Sequence, residues 1–520
     1  MRPPSSMRPS TSSPRPLSGL ASLIGAPSGT SRAPLAAVSG ITIDSRRVRR
    51  GDLYVALPGA SAHGASFAAQ ALSAGAAAIL TDPAGREAAV ATGLPVLVVP
   101  DPRALLGRVA AWVYGEPVKG LTVIGVTGTS GKSTSTFLLE AGLRAAGHRA
   151  GLIGGVEIRA GELRFAPTLT TPEASDLQGL FALMREQGVT AAAMEVSSHA
   201  LALGRVDSVF YDVALFTNLS QDHLDFHRDL DDYFATKARL FTPEMSRAGV
   251  VNVDDAHGRE LLGLAKIPMT TFSAAGSPDA EWRAVDVRLG ADGSSFRVAG
   301  PGGVEEDATV ALPGPFNVAN ALGAIVSLVE AGVPLRTAVA GVGALAGVPG
   351  RMERVTGAED FQAIVDYSHK PGAVESVLRS LREVTAGRLT VVLGCGGDRD
   401  RGKRPMMGEA AARLADVAIL TSDNPRSEDP LRILAEMMDG VLGVPEEGRA
   451  HVIIEPDRAA AIDLAIGRAG FGDVVVVAGK GHEQGQYVGG QVLPFDDRQV
   501  VADAVVRRRN RTGRRSTYGE

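Results

Sequence analysis

The segment Gly125-Val-Thr-Gly-Thr-Ser-Gly-Lys-Ser-Thr134 has the residue types needed to hold a chain of phosphates. Glycines let backbone N–H groups curl around phosphate oxygens, Lys132 offers a cation to the outer phosphates, and the Ser133 hydroxyl at a helix start can ligate Mg²⁺. The spacing departs from the generic nucleotide loop, which wants glycine where Val126 stands; this chain has Gly125 and Gly128 instead. Two polar clusters follow: Glu195, leading into Val-Ser-Ser-His199, and Asn218-Leu-Ser-Gln-Asp-His223-Leu-Asp-Phe-His227. Taken alone, Glu195 serves equally as a capping or salt-bridging carboxylate, and His223 as a loop hydrogen-bonding group. Beside a phosphate loop, Mg²⁺ ligation is the better reading of Glu195.

Such groups must be held by regular elements. The apolar run Leu121 to Val126 precedes the loop and a helix-like stretch from Lys132 to Ala146 follows it, closed by Gly147. Further strands are expected at Ala191–Val196, Val213–Thr217 and Val250–Val253, with a helix at Phe316–Ala331. Upstream, Ile41–Asp44, Asp52–Leu57, Ala76–Leu80 and Pro95–Val99 form a smaller α/β pattern. Downstream, Ala363–Val365, Leu389–Leu393, Val417–Thr421, His451–Ile454 and Asp473–Val477 alternate with helix-length segments, the signature of a parallel sheet covered on both faces. Ligands of such sheets gather at the carboxyl ends of strands. The expected fold is therefore α/β in three domains: a small α/β domain at 39–116, a central P-loop domain with a mostly parallel sheet at 117–349, and a Rossmann-like domain at 350–505.

The first 38 residues, rich in Ser, Pro and Arg, are read as a disordered extension in preference to a transit peptide, and 506–520 as a solvated basic tail. With 53 basic against 58 acidic side chains the chain is too evenly charged to coat nucleic acid or an anionic membrane. No apolar run reaches the ~18 residues of a membrane span. One cysteine, Cys395, permits no intrachain disulfide, so a reducing, cytoplasmic compartment is expected, and a monomer.

Seven motifs together resemble the Mur ligase family, the amide ligases of peptidoglycan precursors: Gly128-Thr-Ser-Gly-Lys-Ser133, Met194-Glu-Val-Ser-Ser-His-Ala200, Thr217-Asn-Leu-Ser-Gln-Asp-His223, Phe316-Asn-Val-Ala-Asn320, Gly350-Arg351, Asp366-Tyr-Ser-His369 and Gly394-Cys-Gly-Gly-Asp-Arg-Asp400. The likeness runs from about Ile43 to Arg498. It implies an N-terminal domain that binds a uridine-nucleotide precursor, a central ATPase domain and a C-terminal amino-acid domain. Asp423-Asn-Pro-Arg426 resembles the signature of members that add meso-2,6-diaminopimelate. There is a chemical reason: this amino acid differs from lysine by a second carboxylate, which a planar guanidinium such as Arg426 can grip with two bonds.

The resemblance assigns further roles residue by residue. ATP falls to Gly128, Thr129, Ser130, Gly131, Lys132, Ser133 and Thr134, with Asn317, Arg351, Asp366 and His369. Without relatives, Asn317 and Asn320 would be a helix cap and a packing residue. The uridine-linked dipeptide falls to Ile43, Ser45, Ala60, Ser61, Ala62, Thr170, Thr171, Ser197 and Arg205, the match at 60–62 being loose. Diaminopimelate falls to Arg399, Asp423, Asn424, Pro425, Arg426, Gly479 and Glu483, whose carboxylate suits an ammonium. The lysine matching Lys237 is carbamylated in the family, since CO₂ turns a repelling ammonium into a carboxylate for Mg²⁺. With Ser133, Glu195 and His223 it completes the implied metal set, and Lys132, Glu195, His223 and Lys237 the implied catalytic set. His199 and His227 receive no role. The expected activity joins diaminopimelate to the γ-carboxyl of D-glutamate in UDP-N-acetylmuramoyl-L-alanyl-D-glutamate through an acyl phosphate. The rivals are a lysine-adding or folylpolyglutamate-synthetase-like ligase and, from another class, a P-loop nucleotide switch.

Overall fold

Strand Thr122–Thr127 is the axis around which the computed structural model of the protein is built; the structure describes residues 6–25, 36–358 and 360–516, with side chains to 511. Gly125 lies inside this strand, where an added Cβ would stand 2.6 Å from the Tyr211 ring. It is therefore a packing glycine, and the phosphate loop proper begins at Gly128. That is the physical reason for the unusual glycine spacing. Gly128 has φ 146° and its Cβ would collide with the Thr217 hydroxyl, so the loop needs glycine there.

Thr122–Thr127 pairs in parallel with Ala191–Glu195 on one side and Tyr211–Phe216 on the other. This order alone sets the phosphate loop, Glu195 and the loop after Phe216 side by side at the carboxyl edge. Outward from the centre, the parallel set continues through Ser246–Asn252, Met269–Ser273 and Trp282–Gly290, and on the other flank through Ala150–Ile153. Antiparallel strands extend both edges, Gly293–Ala299 and Glu305–Val310 at one end, Ile158–Ala160 and Leu163–Phe165 at the other, giving eleven strands. Helices Lys132–Ala145 and Pro315–Glu330 bury Phe137, Leu139, Leu322 and Ile325 against one face, and Ala174–Glu186 covers the other with Leu177, Leu180 and Phe181.

The C-terminal sheet has the order Glu353–Val355, Gln362–Asp366, Val474–Ala478, Leu389–Leu393, Val417–Leu420, His451–Ile454, parallel except for its first strand. Asp366, Gly394, Thr421 and Gly479 leave the sheet at its carboxyl edge, so the polar segments that follow them share one rim. The N-terminal sheet is four parallel strands, Gly40–Thr42, Asp52–Ala56, Ala78–Thr81 and Val96–Val98.

Both chain ends differ from expectation. Within the presumed extension 1–38, Arg15–Pro16 pairs with Ala37–Val38, and helix Leu17–Ile24 sinks Leu17, Leu20 and Ala21 into the N-terminal core. Arg8 is buried, 2.7 Å from Asp52 and donating to the Ile41 carbonyl. This segment cannot fold by itself, but the domain supplies the apolar surface and the counter-charge that its composition lacks. Residues 1–5 and 26–35 lie outside the described residues. At the other end, the basic tail expected from 506 continues helix Asp497–Ser516, where Arg507 pairs with Asp463 at 2.7 Å and Arg508 with Asp360 at 2.9 Å. Residues 517–520 are not described. No described helix is long and apolar enough to cross a membrane.

Candidate active site

The phosphate loop is tied to the loop after Phe216. Thr129 N–H donates to the Asn218 carbonyl at 2.9 Å, Ser130 N–H to Asn218 Oδ1 at 2.9 Å, and the Thr217 hydroxyl to the Ser130 carbonyl at 2.7 Å. Helix Lys132–Ala145 starts at Gly131, whose left-handed φ of 87° aims the first N–H groups at the cavity in front. Lys132 folds back over its own loop, donating to the Gly128 carbonyl at 2.8 Å and the Thr129 carbonyl at 3.0 Å. Burial and the charge of Lys370 pull its ammonium down to about 8, against the opposing pull of Glu195 and Asp222.

Lys237, on helix Leu230–Ala238, is buried, donates to the same Gly128 carbonyl at 2.9 Å and stands 4.5 Å above the Tyr233 ring. Burial, then Lys132 and Lys370, push it well below an ordinary lysine, which favours the uncharged amine. Nothing in a helical lysine's sequence context announces this. Glu195 is buried at its strand end, and one carboxylate oxygen accepts the Gly155 N–H at 2.9 Å. His223, at a left-handed φ of 55°, lies 3.0 Å from Asp222; burial lowers it to about 3, with Lys370 and Lys132 assisting, so its imidazole is neutral. Ser133, Glu195 and His223 line one cavity of about 810 Å³ between the central and C-terminal domains. Among the described residues no three His, Cys, Asp or Glu side chains converge to hold a metal. A set built from a hydroxyl, a carboxylate, a neutral imidazole and one further oxygen donor nevertheless fits Mg²⁺ chemically.

The C-terminal domain reaches into this site at three points. Arg351, stacked 4.3 Å from the Tyr367 ring, donates to the Ser133 hydroxyl at 3.2 Å. Lys370 lies 2.5 Å from Asp222 and 3.3 Å from the Thr129 carbonyl. His482 Nε2 is 3.0 Å from the Gly155 carbonyl; burial, then the Arg351 charge, lowers its pKa to about 4, so the neutral ring donates to that oxygen. Sequence reasoning missed Asp222, Lys370 and His482 as interdomain contacts, though Lys370 directly follows His369 and His482 directly precedes Glu483. Asp366 and His369 line the cavity too, but both are engaged in shaping their loop: Asp366 accepts the N–H groups of Met352 and Ser368 at 2.8 Å, and His369 Nδ1 lies 2.8 Å from the Tyr367 carbonyl. Asn317 lines the cavity while its amide donates to the Pro313 carbonyl at 2.8 Å; the helix cap is Gly314, so Asn317 lies inside the first turn and is not the capping residue.

The residues expected to take the amino acid gather on the C-terminal rim. Arg426, at φ 55°, donates to the Gly397 carbonyl at 2.7 Å. Asn424 and Lys480 both donate to Glu483, at 2.9 and 3.0 Å, so part of the carboxylate's charge is already answered within the protein. Beneath them, fully buried Arg458 pairs with Asp497 at 2.7 Å and donates to the Ser422 and Ala478 carbonyls, locking the Asp423 to Arg426 loop to the loop that carries Gly479. Asp423, buried here, is pushed up as a carboxyl by that burial. Pro425 follows within the same buried loop, and Arg399 is exposed beside it, its side chain 3.7 Å from where a Cβ on Gly396 would stand.

The residues expected to take the uridine-linked dipeptide are spread out. Thr170 and Ser197 line the cavity; Thr171, buried behind them, donates to the Glu195 carbonyl at 2.8 Å, and Arg205 pairs with Glu173 at 2.9 Å. Ile43, Ser45 and the exposed Ala60-Ser61-Ala62 lie on the N-terminal domain, outside this cavity, with the Ser45 hydroxyl on Gln70 at 2.9 Å.

Comparison with known proteins adds independent evidence. Residues 37–114 match the description "Mur ligase family, catalytic domain", 126–328 "Mur ligase middle domain" and 350–481 "Mur ligase, glutamate ligase domain". A Streptomyces coelicolor protein named UDP-N-acetylmuramoyl-L-alanyl-D-glutamate--2,6-diaminopimelate ligase is 58% identical over 504 residues, 96% of this chain and 98% of that relative. A Corynebacterium glutamicum protein of the same name is 47% identical over 483 residues, 91% and 93% of the two chains. A solved structure of a ligase with that name is 34% identical, with a TM-score of 0.65 over 92% of this chain and 97% of that one.

Proposed function

The chain belongs to the Mur ligase family, and on that premise we propose that it joins meso-2,6-diaminopimelate to the γ-carboxylate of D-glutamate in UDP-N-acetylmuramoyl-L-alanyl-D-glutamate, using ATP. One structural observation carries the reading to the site. A single loop, 478–483, brings Glu483 to Asn424 and His482 to Gly155, the residue whose N–H is held by Glu195. The amine site and the phosphate site thus abut through one peptide. Family membership sets aside a nucleotide switch.

In the proposed mechanism a γ-carboxylate oxygen attacks the terminal phosphorus of ATP, ADP departs, and an acyl phosphate forms. The diaminopimelate amine attacks the acyl carbon, loses a proton and expels inorganic phosphate. Lys132 leaves the Gly128 and Thr129 carbonyls for the phosphates and offsets their developing charge. Arg351, already on the Ser133 hydroxyl, adds a second cation from the opposite domain. Ser133, Glu195, His223 and carbamylated Lys237 would hold Mg²⁺, which supplies charge neutralisation at the phosphates. Only an uncharged amine adds CO₂, releasing one proton per carbamate, and burial beside Lys132 and Lys370 shifts Lys237 toward that form. Arg426 and Glu483 take the carboxylate and ammonium of the distal end of diaminopimelate, with Asp423, Asn424 and Arg399 around them. Catalysis of this kind rests on positioning and electrostatics, and needs no nucleophilic side chain.

The test is phosphate release from ATP with the uridine-linked dipeptide and either diaminopimelate or L-lysine. Turnover should require the dipeptide and prefer diaminopimelate. Dipeptide-independent turnover would sink the ligase reading, and preference for lysine the role given to Arg426.

A further inference from the structure

The Thr129 carbonyl receives ammonium groups from two domains, Lys132 at 3.0 Å and Lys370 at 3.3 Å. The preceding carbonyl, Gly128, receives Lys132 at 2.8 Å and Lys237 at 2.9 Å. Three lysines thus crowd two adjacent peptide oxygens, with the Arg351 guanidinium on the Ser133 hydroxyl four residues further along. Asp222, against Lys370, and Glu195, partly engaged by Gly155, are the carboxylates that answer them. A neutral carbonyl is a poor partner for an ammonium compared with an anion, because charge-assisted hydrogen bonds are roughly twice as strong as neutral ones. Lys237 is the lysine proposed to become a carbamate, so the cations poised for phosphate are Lys132, resting on neutral carbonyls, and Lys370, held beside it by Asp222.

Lys132 and Lys237 belong to the central domain, but Lys370 does not. It precedes helix Pro371–Val384, and Gly372 and Ala373 of that helix's first turn line the same cavity. Cation and helix start therefore face the cavity together, both favouring negative charge. Its side chain is 15% exposed, so on moving from Asp222 it would meet a bound anion without first crossing bulk solvent.

We propose that Lys370 is a phosphate-contacting residue, exchanging Asp222 and the Thr129 carbonyl for the terminal phosphate of bound ATP, so that the C-terminal domain senses that phosphate directly. Coming from the domain that carries the amine site, it faces the outer end of the phosphate chain, while Lys132 lies at the loop beneath. The inference rests on the reading of Gly128 to Thr134 as an ATP loop, and the experiment separates the two.

Equilibrium binding of ADP and of a non-hydrolysable ATP analogue is measured with Mg²⁺ for the wild-type chain, Lys370→Met and Lys370→Arg. The wild type should bind both nucleotides. Lys370→Met should lose about tenfold or more in affinity for the analogue, the loss of one charge-assisted contact, and less than about twofold for ADP. Lys370→Arg should recover most of the difference. Binding of neither nucleotide by the wild type would overturn the ATP-loop reading itself. Wild-type binding with equal losses for both nucleotides in Lys370→Met, or with none, would overturn only the role of Lys370, leaving it an interdomain clamp. Such a clamp would also lower the unfolding midpoint of the nucleotide-free protein.

Discussion

Replacing Arg426 by alanine tests the amino-acid pocket with little collateral change. The backbone there is fixed from both sides: Arg426 N–H donates to the Tyr487 carbonyl at 2.9 Å, and Gly489 N–H donates to the Arg426 carbonyl at 2.7 Å. Alanine bears the same left-handed φ of 55° that arginine does, so the conformational cost cancels and the difference isolates the guanidinium. Among the described residues the guanidinium's one hydrogen bond is to the Gly397 carbonyl, leaving donors for a substrate carboxylate. Two charge-assisted bonds at ~1.5–3 kcal/mol each set an upper bound, and partial exposure of the site argues for about 2–3 kcal/mol in total. That corresponds to roughly 30- to 150-fold in kcat/KM. The assay is phosphate release at saturating ATP and dipeptide while diaminopimelate is varied, repeated with L-lysine. The diaminopimelate term should fall by that factor, the lysine term and the KM for ATP by no more than about threefold, and Arg426→Lys should lie between. Equal falls for both amino acids would refute the reasoning, since a carboxylate grip cannot affect a substrate that lacks the carboxylate.

Three other outcomes follow from the same geometry. ¹³C-bicarbonate should give a protein-bound carbamate carbon resonance that is absent in Lys237→Arg; an unchanged resonance in that variant would place the modification elsewhere. Burial, followed by the charges of Lys370 and Lys403, lowers His369 from an ordinary histidine value to about 3, so its contribution to stability is complete above pH 6.5 and is lost as pH falls toward 3. His369→Gln should flatten the pH dependence of hydrogen-exchange protection in strand Gln362–Asp366 between pH 4 and 6 by up to about 1 kcal/mol per pH unit; an unchanged slope would mean that solvent reaches the ring freely. Arg8→Met leaves the buried Asp52 carboxylate with the Arg49 N–H at 2.8 Å but without its counter-ion, and should cost the N-terminal domain about 3 kcal/mol, read from Trp112 fluorescence in urea with Trp282 replaced by Phe. A loss below about 0.5 kcal/mol would restore the first residues to the status of an unneeded extension.

The parallel strands were legible because each is a continuous apolar run buried on both faces, as in Leu389–Leu393 and Val474–Ala478. The antiparallel edge strands were not. In Gly293–Ala299 and Glu305–Val310 the buried apolar positions are few, Phe296, Val298, Ala299, Ala308 and Val310, interspersed with Arg297 and Thr309, and the chain between the strands reverses through Pro301-Gly-Gly303 without a hairpin signal strong enough to stand out. Gly125 was misleading for a related reason. Sequence shows a glycine near a phosphate loop, while only packing shows that Tyr211 requires it. Lys237 is the extreme case, a buried lysine shifted well below its ordinary value whose local sequence is that of any amphipathic helix.

What local sequence cannot encode is which domain answers which, and the chemistry depends on it. The central sheet order brings Glu195, the phosphate loop and His223 to one edge; the C-terminal sheet order brings Asp366, Arg426 and Glu483 to another. Neither edge alone can pass an activated carboxyl to an amine. Arg351 on Ser133, Lys370 on Asp222 and His482 on Gly155 join the two, and every one of them ends on the phosphate loop or on a residue beside a proposed metal ligand. On the proposed mechanism, acyl phosphate formed with the domains apart would be lost to water, whereas here Arg351 and Lys370 join Lys132 at the phosphate loop from the domain proposed to hold the amine. The consequence is that substitutions at Arg351, Lys370 and His482 should disturb ATP and diaminopimelate use together, while those at Arg426, on the far side of the rim, should disturb only the second.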